Sequence, residues 1–326
     1  MKRAISFLII ATAVFVGEQI VSSPRVEPVL PAEDLSIAEA PVLPKDATML
    51  FVGDIMLSRM VGARIIEKND FRYPFLLAAH TLRSADLTFG NLEGPISRRG
   101  KNVGSIYSFR ADPYVLEGIS FAGFDALSVA NNHAWDYGRE AFLDTLELLD
   151  EKRIFTIGVG KDFTEAHAPK VLTAGDARVA LLGYTDLVFK TLGNPESVPA
   201  IARPDIETIK TDIVRAKQEA DLVVVSFHWG EEYQTKHNAT QEALAHDAID
   251  AGANIVVGHH PHVVQELEGY NGGYIAYSLG NFIFDQSFSE ETMQGAALRV
   301  LLRGKGIAGA ELVPIEINES FQPSFR

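Results

Sequence analysis

Five clusters in this sequence gather side chains that can hold a metal or move a proton, and a sixth turn lies near them. They are Gly53-Asp54, Asn91-Leu92-Glu93, Asn131-Asn132-His133, His228-Trp229-Gly230 and His259-His260-Pro261-His262, with Leu279-Gly280-Asn281-Phe282 as the turn. Three histidines in four residues are hard to place in a core, where each imidazole needs a hydrogen-bond partner. A metal site accounts for them, because neutral imidazole is a common transition-metal ligand. Asp54, Glu93, Asn132, His228, His260 and His262 together offer carboxylate, amide carbonyl and imidazole. That mixture suits one or two borderline or hard divalent ions such as Mn²⁺, Zn²⁺ or Fe. A carboxylate can bridge two ions, and such a pair activates water for in-line attack at phosphorus. His133 sits beside a ligand-type amide and can stand off the metal to protonate a leaving group.

Each cluster needs an element to position it, and each follows an apolar run that reads as a strand. The runs are Thr48–Val52, Leu87–Phe89, Phe124–Val129, Leu222–Phe227, Ile255–Val257 and, before the turn, Tyr274–Ser278. Open α/β sheets place their ligands outside the carboxyl ends of their strands, so the recurrence argues for one shared site. Apolar spacing predicts helices over Tyr73–Leu82, Arg139–Glu151, Pro204–Ala220 and Gln241–Ala251. Asp112-Pro113 opens another, running to about Ala122, with Asp as N-cap and Pro at the first helical position. Strands are predicted over Ile106–Arg110 and Val179–Gly183, and a closing hairpin over Ala297–Arg303 and Ala308–Ile317. Trp135 is expected to pack, and Asp136-Tyr137-Gly138 to cap the following helix and steady His133. Arg59 and Arg110 are the candidates for binding anionic groups of a substrate. Phe189–Ala202 reads as a long loop, a lid or a substrate-selecting insert.

The chain of 326 residues, 47% hydrophobic and 22% charged, can bury a large core and is read as one catalytic-size domain with an N-terminal extension. A net charge of −14 argues against nucleic acid as a partner, since phosphate backbones need clustered Lys and Arg. The absence of cysteine excludes disulfides, thiolate ligands and Cys nucleophiles.

Lys2 and Arg3 precede an apolar run from Ala4 to Gly17, closed by Glu18. Residues 1–23 therefore read as a signal peptide or N-terminal membrane anchor, which predicts export to the cell envelope, anchored or periplasmic or extracellular. Residues 24–46, with five prolines and several acids, read as an extended acidic linker. The domain is expected over 47–318, with a short C-terminal tail at 319–326.

Six ordered motifs carry a resemblance: Gly-Asp-x-Met-Leu, Asn-Leu-Glu-Gly-Pro, Ala-Asn-Asn-His-x-x-Asp-Tyr-Gly, His-Trp-Gly-x-Glu-Tyr, His-Pro-His-Val-x-Gln and Ser-Leu-Gly-Asn-Phe. Over about Thr48 to Ile317 the sequence resembles the bacterial CapA-type poly-γ-glutamate capsule-synthesis family (PGA_cap), a branch of the calcineurin-like metallophosphoesterase superfamily. The resemblance implies a four-layer α/β/β/α sandwich with a dinuclear site at the carboxyl ends of its strands. It implies Asp54 as the first metal-binding Asp and Glu93 in place of the bridging Asp. Asn132 and His228 stand as ligands, His133 as general acid, and His260 and His262 as the paired histidines. Where the superfamily usually has a histidine two residues after the first Asp, this chain has Met56, and a thioether is a poor partner for a hard divalent ion. The implied function is an exported metal-dependent hydrolase acting on an anionic polymer or phosphoester in capsule or cell-surface polymer metabolism. The alternative is a non-catalytic accessory subunit of a membrane-bound poly-γ-glutamate synthase complex.

Overall fold

The computed structural model describes residues 45–103, 106–187 and 200–326. The leader, nearly all of the linker and most of the 189–202 loop lie outside the described residues. In chain order the elements are β1 (Asp46–Ile55), α1 (Arg59–Lys68), α2 (Ala79–Leu82), β2 (Leu87–Leu92), α3 (Val115–Ala122), β3 (Ala126–Ser128), α4 (Gly138–Glu151) and β4 (Phe155–Ile157). There follow β5 (Val159–Gly160), α5 (Phe163–Ala166), β6 (Lys170–Ala174), β7 (Ala177–Thr185), β8 (Ala200–Ile201), α6 (Ile206–Glu219), β9 (Leu222–His228), α7 (Ala239–Ala251) and β10 (Ile255–His259). The chain closes with β11 (Leu267–Tyr270), β12 (Gly273–Ala276), β13 (Asn281–Ile283), β14 (Gln294–Arg303), β15 (Gly306–Ile317) and β16 (Pro323–Phe325).

One sheet runs β16-β15-β14-β1-β2-β3-β4, with β13 added alongside β1, and the other runs β11-β12-β10-β9-β7-β6. Successive side chains on a strand point to opposite faces, and here that alternation builds the layers. Met49 and Phe51 of β1 join Val224 of β9 and Val257 of β10 between the two sheets. Leu50 and Val52 point the other way, onto α1 to α4. Val223 and Val225 of β9 and Val256 of β10 pack on α6 and α7. The result is the four-layer α/β/β/α sandwich, and strands covered on both faces explain the unbroken apolar runs in the sequence.

The strands at the heart of the site, β1-β2-β3 in one sheet and β7-β9-β10 in the other, are parallel neighbours. Their carboxyl ends therefore meet at one rim. Close backbone approach sharpens this rim at two glycines. A Cβ on Gly53 would lie 1.9 Å from the Gly280 carbonyl oxygen, and one on Gly258 would lie 1.9 Å from that of Tyr277. Asp54 N donates to the same Gly280 oxygen at 3.0 Å, so the missing side chain at 53 lets the 279–280 turn lock the strand end.

Several local expectations are corrected. The 106–110 segment is not a strand: Ile106 and Tyr107 turn outward, and only Phe109 is buried. Tyr73–Leu82 is not one helix but a 3₁₀ turn at Tyr73–Phe75, opened by Pro74, followed by the single turn of α2. Its buried positions, Phe75, Ala78, Ala79 and Leu82, supplied the helical spacing, while Leu76 and Leu77 face outward. Helix α1 was not anticipated. Residues 319–326, set apart above as a tail, carry β16, which pairs antiparallel with β15. Among the described residues no helix is long and apolar enough to cross a membrane.

Replacing Gly53 with Ala is expected to destabilise the fold by at least about 2 kcal/mol, because neither backbone segment can retreat from the new methyl group. Gly309→Ala, where a Cβ meets nothing within 4 Å, is expected to be neutral or stabilising by up to about 1 kcal/mol. Denaturant unfolding of the two variants checks both values.

Candidate metal centre

Asp54 ends β1, Glu93 follows β2, Asn132 and His133 follow β3, His228 ends β9, and His260 and His262 follow β10. The sandwich brings all seven together. Asp54, Glu93, His228, His260 and His262 are buried, none more than 6% exposed. One ligand atom each from Asp54, Glu93 and His228 lie within 4.8 Å of one another, and so do atoms of Glu232, His260 and His262. His262 joins the two groups, its Nδ1 3.2 Å from Asp54 Oδ2 and its Nε2 3.8 Å from Glu93 Oε1. His228 Nε2 and Asn132 Oδ1 converge at 2.8 Å.

Whether these residues fit a cation can be tested on Glu93. Both of its carboxylate oxygens are buried without a hydrogen-bond partner, as is His260 Nδ1. Buried polar atoms are otherwise almost always paired, and an unpaired carboxylate is among the costliest groups to bury. Divalent ions held by the two residue groups would give these atoms partners. The donor set fits.

The electrostatics agree. Burial, then the neighbouring imidazoles, pushes His228 well below its ordinary range, and burial with His262 pushes His260 down to about 3. Both are thus neutral, the form that binds metal. Burial drives the Glu93 carboxyl well above its usual value, with the Asp54 charge adding to it. Burial also opposes ionisation of Asp54, but the His262 hydrogen bond and charge prevail and hold it low. Burial likewise opposes a charge on His262, yet the Glu93 and Asp54 carboxylates push it up to about 9. A proton on His262 then sits among carboxylates where a cation would otherwise balance them.

The surrounding residues orient the ligands. Asn91 Nδ2 donates to Asp54 Oδ1 at 2.8 Å and lies 3.3 Å from His228 Nδ1. Asn131 Nδ2 donates to Asn91 Oδ1 at 3.1 Å and to Leu92 O at 2.8 Å, tying β2 to the turn after β3. Asn281 Oδ1 lies 3.0 Å from His262 Nδ1. His260 and His262 both have positive φ, 97° and 58°, a strained conformation for non-glycine residues. The sequence reading did not assign Asn91, Asn131, Asn281 or Glu232, although each lies inside a motif quoted above. His259 stays apart from the ligands, with Nε2 3.2 Å from Val52 O.

His133 Nδ1 lies 2.8 Å from Asp136 Oδ2, and that oxygen also accepts Phe109 N at 2.6 Å. Donation from Nδ1 to the carboxylate directs Nε2 toward Glu93 Oε1, 3.6 Å away. A cleft of about 560 Å³ opens over this end of the site, bounded by His133, His262, Arg59, Phe109, Tyr233 and Phe288 among others. Arg59 stands at the cleft with its guanidinium 2.9 Å from buried Asp285 and over the Phe109 ring. Arg110 is not brought there: it stacks on Tyr137 and donates to the Arg99 and Gly100 carbonyls. Met56 is fully buried in the helix-facing core, and its sulfur accepts from Ser58 N at 3.2 Å and Ser58 Oγ at 3.1 Å.

This four-layer sandwich, with carboxylates, amides and imidazoles converging where its two sheets end, has the architecture of the metallo-dependent phosphoesterases. The fold is shared with the crystal structure of a novel phosphatase from Mycoplasma pneumoniae, at TM-score 0.52 and 16% identity, covering 84% of this chain and 95% of that one. Residues 48–286 match the family described as bacterial capsule synthesis protein PGA_cap, and the chain belongs to that family. It is 36% identical over 284 residues to the capsule biosynthesis protein CapA of Bacillus anthracis, covering 83% of this chain and 68% of that protein. It is 28% identical over 257 residues to a probable polyglutamine synthesis accessory protein of Mycobacterium tuberculosis, covering 74% of this chain and 66% of that one.

Glu93→Gln is expected to raise stability in the presence of chelator by about 1–3 kcal/mol, by removing a buried carboxyl group that no hydrogen bond satisfies. The same substitution is expected to shrink the rise in melting temperature that added Mn²⁺ or Zn²⁺ gives the wild type, since binding to the native state stabilises by mass action. Thermal melts with and without metal check both effects.

Proposed function

We propose that this protein is an exported metal-dependent hydrolase of the cell envelope, acting on an anionic polymer or phosphoester in capsule or cell-surface polymer metabolism of the poly-γ-glutamate type. The observation that carries the reading is the pairing of an unsatisfied buried ligand set with His133, a histidine the ligand set does not need. Asp54, Glu93, Asn132, His228, His260 and His262 would hold one or two divalent ions. When bound, these ions supply Lewis-acid polarisation of the scissile group and a water of lowered pKa.

The chain's own groups do the rest. Asp136 fixes the His133 ring by accepting from Nδ1. His133 lines the cleft, where a proton on Nε2 can pass to a leaving atom. Phe109 packs on the His133 ring at 4.0 Å between centroids and limits its rotation. Arg59 presents a positive charge at the cleft wall while Asp285 holds it in place, which suits one anionic group of an extended substrate. The capsule role is supported by family membership and by the name of the Bacillus anthracis relative.

A second reading has one structural observation behind it. Met56 occupies the usual histidine position and its sulfur is engaged by Ser58, which favours a non-catalytic accessory subunit of a membrane synthase complex carrying a structural metal. The name of the Mycobacterium tuberculosis relative points the same way.

The deciding experiment assays purified full-length protein of measured metal content on an activated phosphodiester and on poly-γ-glutamate. His133→Ala is expected to keep its metal and lose about 10²- to 10⁴-fold in kcat. Bound metal with no turnover of either substrate by the wild type would instead put the accessory reading first.

A further inference from the structure

The structure assigns Glu232 to the metal centre: we propose that its carboxylate binds a divalent cation together with His260 and His262, supplying the ligand that Met56 does not. This inference rests on the metal-centre reading above and extends it by one residue. Three observations on separate elements lead to it.

The first is geometric. A carboxylate oxygen of Glu232 and one ring nitrogen each of His260 and His262 lie within 4.8 Å of one another, and Glu232 faces the same cleft as His133 and His262. The second is the unpartnered Nδ1 of His260, buried beside this group. A buried imidazole nitrogen without a hydrogen-bond partner is an unfilled ligand position. The third is Met56, whose sulfur turns into the core and accepts both the backbone and the hydroxyl of Ser58. The strand β1 thus gives the site Asp54 and nothing further.

The loop that carries Glu232 is fixed, which separates it from an incidental surface acid. Trp229 N donates to His259 O at 3.1 Å, and Tyr233 N donates to Pro261 O at 2.8 Å. These two bonds clamp residues 229–233 against the 259–262 turn on either side of Glu232. Tyr233 takes a φ of 64°, and its hydroxyl accepts from Gln286 Nε2 at 3.2 Å. Trp229 is anchored through Nε1 to Tyr277 O at 3.0 Å. Strain at 233, 260 and 262 and a double backbone clamp hold a carboxylate opposite two imidazoles. Carboxylate with two imidazoles is a common divalent-metal donor set.

The test counts metal ions rather than turnover. Full-length wild type, Glu232→Gln and His228→Ala are dialysed against Mn²⁺, and bound metal is read by elemental analysis and by titration followed by electron paramagnetic resonance. Glu232→Gln is expected to lose one Mn²⁺ per chain, or to bind it at least tenfold more weakly. Its melting curve in chelator should match the wild type, because Glu232 is exposed and no packing is lost. His228→Ala should disturb binding while leaving the Glu232-dependent ion detectable. Wild-type stoichiometry and affinity in Glu232→Gln would overturn the assignment and leave the metal-centre reading standing. No Mn²⁺ bound by the wild type would overturn both.

Discussion

Two carboxylates, Asp54 and Glu93, share one buried pocket with three imidazoles, and only Asp54 has hydrogen-bond donors of its own. Taking such an ion out of water costs several kcal/mol even after relaxation, and the surrounding fold is arranged to hold that cost in place. Both carboxylates stand at ends of parallel strands whose side chains are packed above and below, so neither can swing to solvent. The donors to Asp54 are the amide of Asn91, the backbone of His260 and the His262 ring through Nδ1. Amides position a carboxylate without neutralising it. A Lys or Arg at position 91 would satisfy the same oxygen and cancel the charge a metal needs. The amide chain from Asn131 through Asn91 to Asp54 therefore keeps the pocket negative and rigid together.

The proton-handling side of the site is built from different material. His133 follows the short strand β3, but its ring partners are Phe109 and, on the approach to α4, Asp136. Asp136 takes both His133 Nδ1 and Phe109 N, so ring orientation and cleft wall are set by one carboxylate. Upstream of Phe109, residues 96–97 are pinned on α4, with Ser97 Oγ donating to Asp144 Oδ2 at 2.5 Å and Ile96 N donating to Thr145 Oγ1 at 2.9 Å. Arg110 serves this anchoring through Tyr137 and two carbonyls. Metal ligation thus depends on sheet packing, whereas placement of the general acid depends on how one loop rests on one helix.

The strands and their chemistry were legible because burial on both faces leaves an unmistakable mark. Thr48–Val52, Leu222–Phe227 and Ile255–Val257 are apolar without alternation, and each stops at a ligand-type residue. Less of the surface was readable. Helix α1 begins at Ser58, whose side chain makes no capping bond because its hydroxyl donates to Met56, and Arg59 has a φ of 51°. With no acid in its first turn either, α1 has Ser58 as its only start signal, and that side chain is engaged elsewhere. Ile106–Arg110 has the composition of a strand, but its outward Ile106 and Tyr107 show that composition without a sheet position decides nothing. Edge strands such as β6 and β16 are short or half-exposed and leave almost no pattern. Among the candidate ligands, Glu232 has no mark in the sequence beyond its place in the His-Trp-Gly-x-Glu-Tyr motif, where His228 is the evident ligand type. Nothing in a sequence shows that residues 229–233 fold back onto 259–262.

Met56 and Glu93 are the two places where this chain departs from the superfamily pattern that its sequence resembles. In this architecture most ligands sit at strand ends, where register and packing leave no freedom to move. A ligand removed from β1 cannot be recovered from a neighbouring strand without shifting the whole sheet, since a one-residue slip turns every side chain to the other face. Replacement has to come from a longer side chain already at the rim, or from a loop that folds over it. Glu93 extends the reach at the end of β2 by one methylene, toward His133 and His262. The clamped 229–233 loop brings a carboxylate from the cleft side. On the metal-centre reading proposed above, Glu93 would approach a cation from the buried floor and Glu232 from the cleft.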